Sequence, residues 1–193
     1  MSSVVISGDT SGAITVSAPL VAGTNTLTLQ AGTATNSMNT LATAVASTSG
    51  TSINFTALPA WVKRVTVMFN GVSTNGTSDV IIQLGTGATP TYTTSGYLGS
   101  CSVQSGTVDN FTTGLRVVNS QAAASLWHGN ILICNTTSNT WSESGVLGNS
   151  NAGGTRMSGG SIPLADSLTA VRITTVNGTD TFDAGTINIL YEG

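Results

Sequence analysis

From residue 51 onward, apolar residues alternate with polar ones in short runs, and turn-forming pairs separate the runs at steady intervals. Val65, Val67 and Phe69 alternate with Arg64, Thr66 and Met68, and Val80, Ile82 and Leu84 with Ile81 and Gln83. Further runs cover 96–103, 114–118, 126–134, 141–147, 168–175 and 186–191. Asn70-Gly71, Asn75-Gly76, the stretch 85–87, the stretch 149–154 and Asn177-Gly178 supply turns, because Asn and Gly tolerate positive φ. A period of two puts one face of each strand in a core. About eight or nine short strands at this spacing, with no helical period among them, predict an all-β chain with a jelly-roll-like β-sandwich over 53–193.

The start of the chain has the same alternation on a smaller scale. Ile14 and Val16 alternate with Ala13, Thr15 and Ser17, and Leu27 and Leu29 with Thr26, Thr28 and Gln30. Pro19 and Gly23-Thr24-Asn25 mark a turn between them. Two short strands do not bury enough apolar area to stand alone. Residues 1–35 therefore read as an assembly and attachment segment. Its contacts with sister copies or with a neighbouring protein fall to Ile14, Val16, Leu27 and Leu29. Between it and the sandwich, 36–52 reads as a linker or a short helix: Met38, Leu41 and Val45 have helical spacing, Asn36 or Ser37 fits a cap, and Gly50 fits an end.

Charge narrows the partners. Only 7% of the residues are charged, and the net charge is -3. Soluble domains average about 25% charged residues, yet the hydrophobic fraction of 39% is too high and too evenly spread for a disordered chain. The cations Lys63, Arg64, Arg116, Arg156 and Arg172 form no run, so nucleic acid is not an expected partner. No apolar stretch approaches 18 residues, and the leading MSSVVISGD has no secretory pattern; synthesis in a cytoplasm without membrane insertion is expected. With few charges to guard strand edges, oligomerisation is the expected means of covering them.

Nothing in the chain composes a catalytic motif. Cys101 and Cys134 form no CxxC and read as reduced thiols in apolar strands, with one histidine, His128, in the chain. Asp180 and Asp183 are the closest acidic pair, and such acids in turns more often make Asx hydrogen bonds than catalyse. No HExxH, GxSxG, GxxxxGK or zinc spacing occurs. A non-enzymatic protein with no cofactor and no metal is expected.

The segment SGDTSGAITVSAPLVAGTNTLTLQAGT resembles the short Gly/Ser/Thr repeat of tail-fibre proteins of tailed bacteriophages. LPAWVKRVTVMFNGVSTNGTSDVIIQLG and VRITTVNGTDTFDAGTINILYEG are similar to small phage proteins of the same setting. The resemblance implies a virion structural protein, a short tail fibre or receptor-binding appendage on the particle surface. It also implies a homotrimer that contacts other tail or capsid proteins and a host cell-surface glycan or protein. The chain is short for a long fibre, which keeps a head decoration, cement or head-fibre protein as the alternative. A polysaccharide-degrading tailspike is the remote one.

Glycan sites stack an aromatic ring on the sugar and hydrogen-bond its hydroxyls. Aromatic residues are 5% of the chain, so each one carries information. Trp141, after the polar loop 135–140, is the expected exposed platform; Tyr92 and the pair Trp127-His128 are the other candidates. Trp61, after Pro59, is expected to plug the base of the core.

Overall fold

A computed structural model describes residues 3–7, 13–17, 39–123 and 125–193, with side chains from residue 39 onward. The chain divides into two compact units, Met1–Asn36 and Ser37–Gly193. In the first, β1 (Ser3–Ser7) pairs antiparallel with β2 (Ala13–Ser17). The register sets Val4 opposite Val16 and Ile6 opposite Ile14. The partner of the Ile14–Val16 strand is thus a preceding segment that the sequence reading did not include. Leu27 and Leu29 lie outside the described residues.

The second unit is all-β, with no helix among its described residues. Its strands are β3 (Asn39–Leu41), β4 (Val45–Ala46), β5 (Ser52–Phe55), β6 (Arg64–Thr74), β7 (Val80–Thr86), β8 (Thr91–Tyr92), β9 (Leu98–Val103), β10 (Val108–Phe111), β11 (Leu115–Arg116), β12 (Trp127–Thr137), β13 (Thr140–Asn149), β14 (Thr155–Pro163), β15 (Leu168–Thr175) and β16 (Phe182–Glu192). A nine-stranded antiparallel sheet runs β10-β9-β14-β13-β12-β6-β16-β3, with β4 also on β16, and a five-stranded one runs β11-β7-β15-β5, with β8 on β7. A simple jelly roll would divide its strands four and four. Here the meander β12-β13-β14 stays within the larger sheet, so the division is nine and five.

Residues 39–46 are neither a helix nor a spacer. β3 and β4 follow one another along the outer edge of β16, Ala42 N–H donates to Ile189 O at 2.9 Å, and Val45 packs on the core. Backbone groups at the open edge of β16 need partners, and pairing meets that need better than the weak helix signal of a Thr- and Ser-rich segment.

Asn70-Gly71 is likewise not a turn. β6 continues through it, and Gly71, at φ 66°, is the extra residue of a bulge opposite Trp127 and His128. Gly185, at φ 90°, lies against the Gly71 backbone so closely that a Cβ would strike it. The paired glycines bend β6 and β16 together.

One core lies between the sheets. From the large sheet, Val65, Val67, Phe69, Ile131, Ile133, Ile187 and Ile189 are fully or almost fully buried; from the small sheet, Ile53, Ile82, Leu84, Val171 and Ile173 meet them. Trp61 is half-buried against this core, its ring centroid 5.8 Å from that of Tyr191. Both cysteines are free thiols, Cys101 buried and Cys134 half-buried.

Candidate functional site

At one end of the large sheet three connections converge: the β9–β10 hairpin, the segment after β11, and the β13–β14 turn. They enclose a cleft of about 520 Å³ lined by Gln104, Ser105, Ser120, Ser125, Asn149 and Arg156 among others, with no acidic side chain in its wall. Local chemistry shapes each connection. Asn149 Oδ1 accepts the N–H groups of Asn151 at 3.1 Å and Ala152 at 3.0 Å, an Asx-type turn that Gly153 and Gly154 complete at positive φ. Ser120 holds φ 54°, uncommon for a residue with a Cβ, beside the buried Asn119, whose amide donates to Cys101 O at 3.1 Å.

Arg156 forms the floor. Only 9% of it is exposed, and Nε donates to Asn119 O at 2.7 Å, Nη2 to Ser120 O at 3.4 Å and Nη1 to Thr155 O at 3.3 Å. Its guanidinium carbon stands 4.9 Å from the centroid of the Trp127 ring. Burial pushes the Arg156 pKa below its usual value. The ion pairs among the described residues are Arg64–Glu192, Arg116–Asp79 and Arg116–Asp109, so Arg156 has no carboxylate at contact distance.

A polar chain braces the floor from behind. Trp127 Nε1 donates to Gln121 Oε1 at 2.7 Å, Gln121 Nε2 to Thr74 Oγ1 at 3.3 Å, and Gln121 N–H to Asp79 Oδ1 at 3.2 Å. Asp79 lies 3.4 Å from Arg116 Nη1, yet its pKa is raised, because desolvation outweighs these favourable contacts. Further along the inner face, Glu143 is buried with Oε1 accepting from Ser158 Oγ at 2.6 Å and Oε2 unpartnered; burial pushes its carboxyl up to about 7. Burial, with Glu143 nearby, pushes the Cys101 thiol up to about 12, which makes it a poor nucleophile.

The residues selected as glycan contacts do not converge. Trp141 is 3% exposed, in the core between its cross-strand partners Asn135 and Ile162, so the expected exposed platform is absent. Trp127 is 1% exposed and acts from beneath, as the support of Arg156. His128 points away from Trp127 along β12: its Nδ1 accepts the Gly71 N–H at 3.2 Å, and Nε2 lies 3.1 Å from Ser150 Oγ. The imidazole satisfies the donor that the bulge leaves free. Tyr92 sits half-buried on the outer face of the small sheet, with the Arg172 guanidinium 4.2 Å from its ring centroid. Sequence reasoning does not single out Arg156 from the other scattered cations. Its signal was local: a lone Arg two residues after the Gly153-Gly154 turn.

Of the acidic pair in DTFDAG, Asp180 holds turns together and Asp183 is exposed. Asp180 Oδ2 accepts the Ser78 N–H at 2.9 Å and its other oxygen accepts from Asn177 Nδ2 at 2.6 Å, pinning two turns together over Gly76, where any Cβ would collide with the carboxylate. Among the described residues no three His, Cys, Asp or Glu side chains gather as a metal site, and no helix is long and apolar enough to cross a membrane. Comparison with protein-family models, with curated proteins and with solved structures gives no match.

Proposed function

We propose that this chain is a non-enzymatic structural protein of a tailed-bacteriophage particle, a short tail fibre or receptor-binding appendage that attaches to the host surface. The observation that carries the reading is the division of labour between the two units. A two-stranded hairpin that pairs Val4 with Val16 and Ile6 with Ile14 is too small to stand alone and requires a packing partner. The same chain carries a sandwich whose large outer face mixes small polar residues with the exposed apolar side chains Leu98, Val108, Leu132, Val146 and Met157.

In this reading the hairpins of three chains pack against one another or dock on the tail, and the sandwiches present their loops to a surface glycan or protein. Weak contacts repeated across a trimer gain roughly 10²–10⁴ in avidity. The nested pairing of β6 with β16, β7 with β15, β9 with β14 and β12 with β13 supports a jelly-roll-like winding whose innermost hairpin remains in the large sheet.

Sedimentation of the whole chain tests the assembly. The expected result is a trimer that Ile14→Asp with Val16→Asp converts to a monomer of unchanged β-sheet spectrum; a monomeric parent chain refutes it. An averaged particle image tests the role, with density for this subunit expected at the tail. Density on the capsid shell would instead give the head-decoration role.

A further inference from the structure

We propose that the cleft over Arg156 binds a carboxylate-bearing sugar, a uronic acid unit of a surface polysaccharide. The argument starts from an imbalance. A cation taken out of water is costly unless an anion or a full set of acceptors compensates it. Arg156 has peptide carbonyls for three donors, on Nε, Nη1 and Nη2. A guanidinium carries five N–H groups, two on each Nη, so one N–H on Nη1 and one on Nη2 are left over. A carboxylate can bridge the fork formed by these two nitrogens when each turns its remaining N–H toward it. The Trp127 ring and the carbonyls of Asn119 and Ser120 fix the guanidinium, so little ordering entropy is lost when an anion arrives.

The remainder of the cleft fits a sugar better than a bare anion. Its volume of about 520 Å³ falls within the roughly 300–1,000 Å³ of small-ligand sites. Gln104, Ser105, Ser120 and Ser125 supply amide and hydroxyl groups suited to ring hydroxyls, and the absence of an acid from the wall spares a uronate repulsion. The choice of a surface polysaccharide as source rests on the attachment reading above; the anion site does not.

The test is a titration of the isotopically labelled full chain, followed by amide shifts. Glucuronate is the probe, with glucose and inorganic phosphate as controls. Glucuronate is expected to bind in the millimolar range and to shift amides at 104–105, 120–123 and 149–156. Glucose and phosphate should bind at least about tenfold more weakly, the ratio that marks a lost polar contact. Arg156→Lys keeps the charge and loses the fork, so it should weaken glucuronate at least about tenfold. Should that variant not fold, Ser105→Trp, placed on the rim, should block the cleft in a folded chain.

Equal binding of glucose and glucuronate overturns the proposal. So does phosphate binding as tightly as the sugar acid, or shifts confined to other loops. A chain that adsorbs to host cells but ignores glucuronate overturns this site and leaves the attachment reading standing. Glucuronate binding by a chain found on no particle does the reverse.

Discussion

The two halves of the large sheet's inner face differ in what they bury beside their apolar side chains. Along one cross-strand row, Ile189, Val67 and Ile131 are followed by Gly145, Ser158, Cys101 and Asp109; along the next, Tyr191, Val65 and Ile133 are followed by Glu143, Gly160, Gly99 and Phe111. The β6/β12/β16 half presents branched aliphatics to the small sheet. The β9/β13/β14 half presents glycines roofed by the Phe111 ring, a buried carboxyl and, one row further, Arg156. The first half gains stability from area removed from water. The second also buries Phe111, Trp141, Leu147 and Ile162, and depends in addition on whether each buried polar group among them has its partner. The difference teaches where to look for function: the cleft opens beside the half that holds buried polar groups among its apolar ones.

The sharpest way to break this comparison is to delete matched side chains from one row. Ile131→Ala, at a fully buried position, should cost about 2–5 kcal/mol in urea unfolding. Cys101→Ala, also fully buried and in the same row, should cost well under half as much. Equal losses would mean that the polar half packs as tightly as the aliphatic one.

Next in size is a pH effect. The Glu143 carboxyl, raised from 4.5 to about 7, favours its neutral form when folded. Its stabilising contribution is complete below pH 4.5, declines as pH rises toward 7, and is gone above it, a difference on the order of 3 kcal/mol. Glu143→Gln keeps the acceptor for Ser158 Oγ and cannot ionise. Its thermal midpoint should exceed the parent's at pH 8 and match it near pH 4.5, and a parallel pH dependence in the two chains would refute the assignment.

Trp127→Phe sharpens the comparison at the cleft itself. It keeps a ring beside Arg156 and removes the Nε1–H donated to Gln121 Oε1, leaving a buried acceptor unpaired. A loss of about 1–3 kcal/mol is expected by calorimetry. The smallest effect belongs to the outer face, where Val146 is 50% exposed; Val146→Thr should stay within about 0.5 kcal/mol of the parent.

Much of the strand content was legible because alternation reports a buried face directly. The runs around Val65, Ile82, Ile131 and Ile173 all became core strands. β14, with the sequence TRMSGGSIP, was not legible. Its inward positions Ser158 and Gly160 carry no apolar signal, since Gly160 leaves its space to Phe111, a residue on another strand. Trp141 misled for a related reason. Polar neighbours along the chain imply exposure, whereas its burial is set by strands that lie beside it in space.

The chain's own alternation and turn residues determined an all-β architecture and a set of core aliphatics. Those are short-range properties, carried by residues a few positions apart. Which sheet each strand joins, that Asn70-Gly71 is a bulge, that 39–46 completes an edge and that Arg156 floors a cleft were decided only by the tertiary structure. Each depends on segments tens of residues apart meeting in space, and one strand's pattern says which face is buried without saying what will cover it.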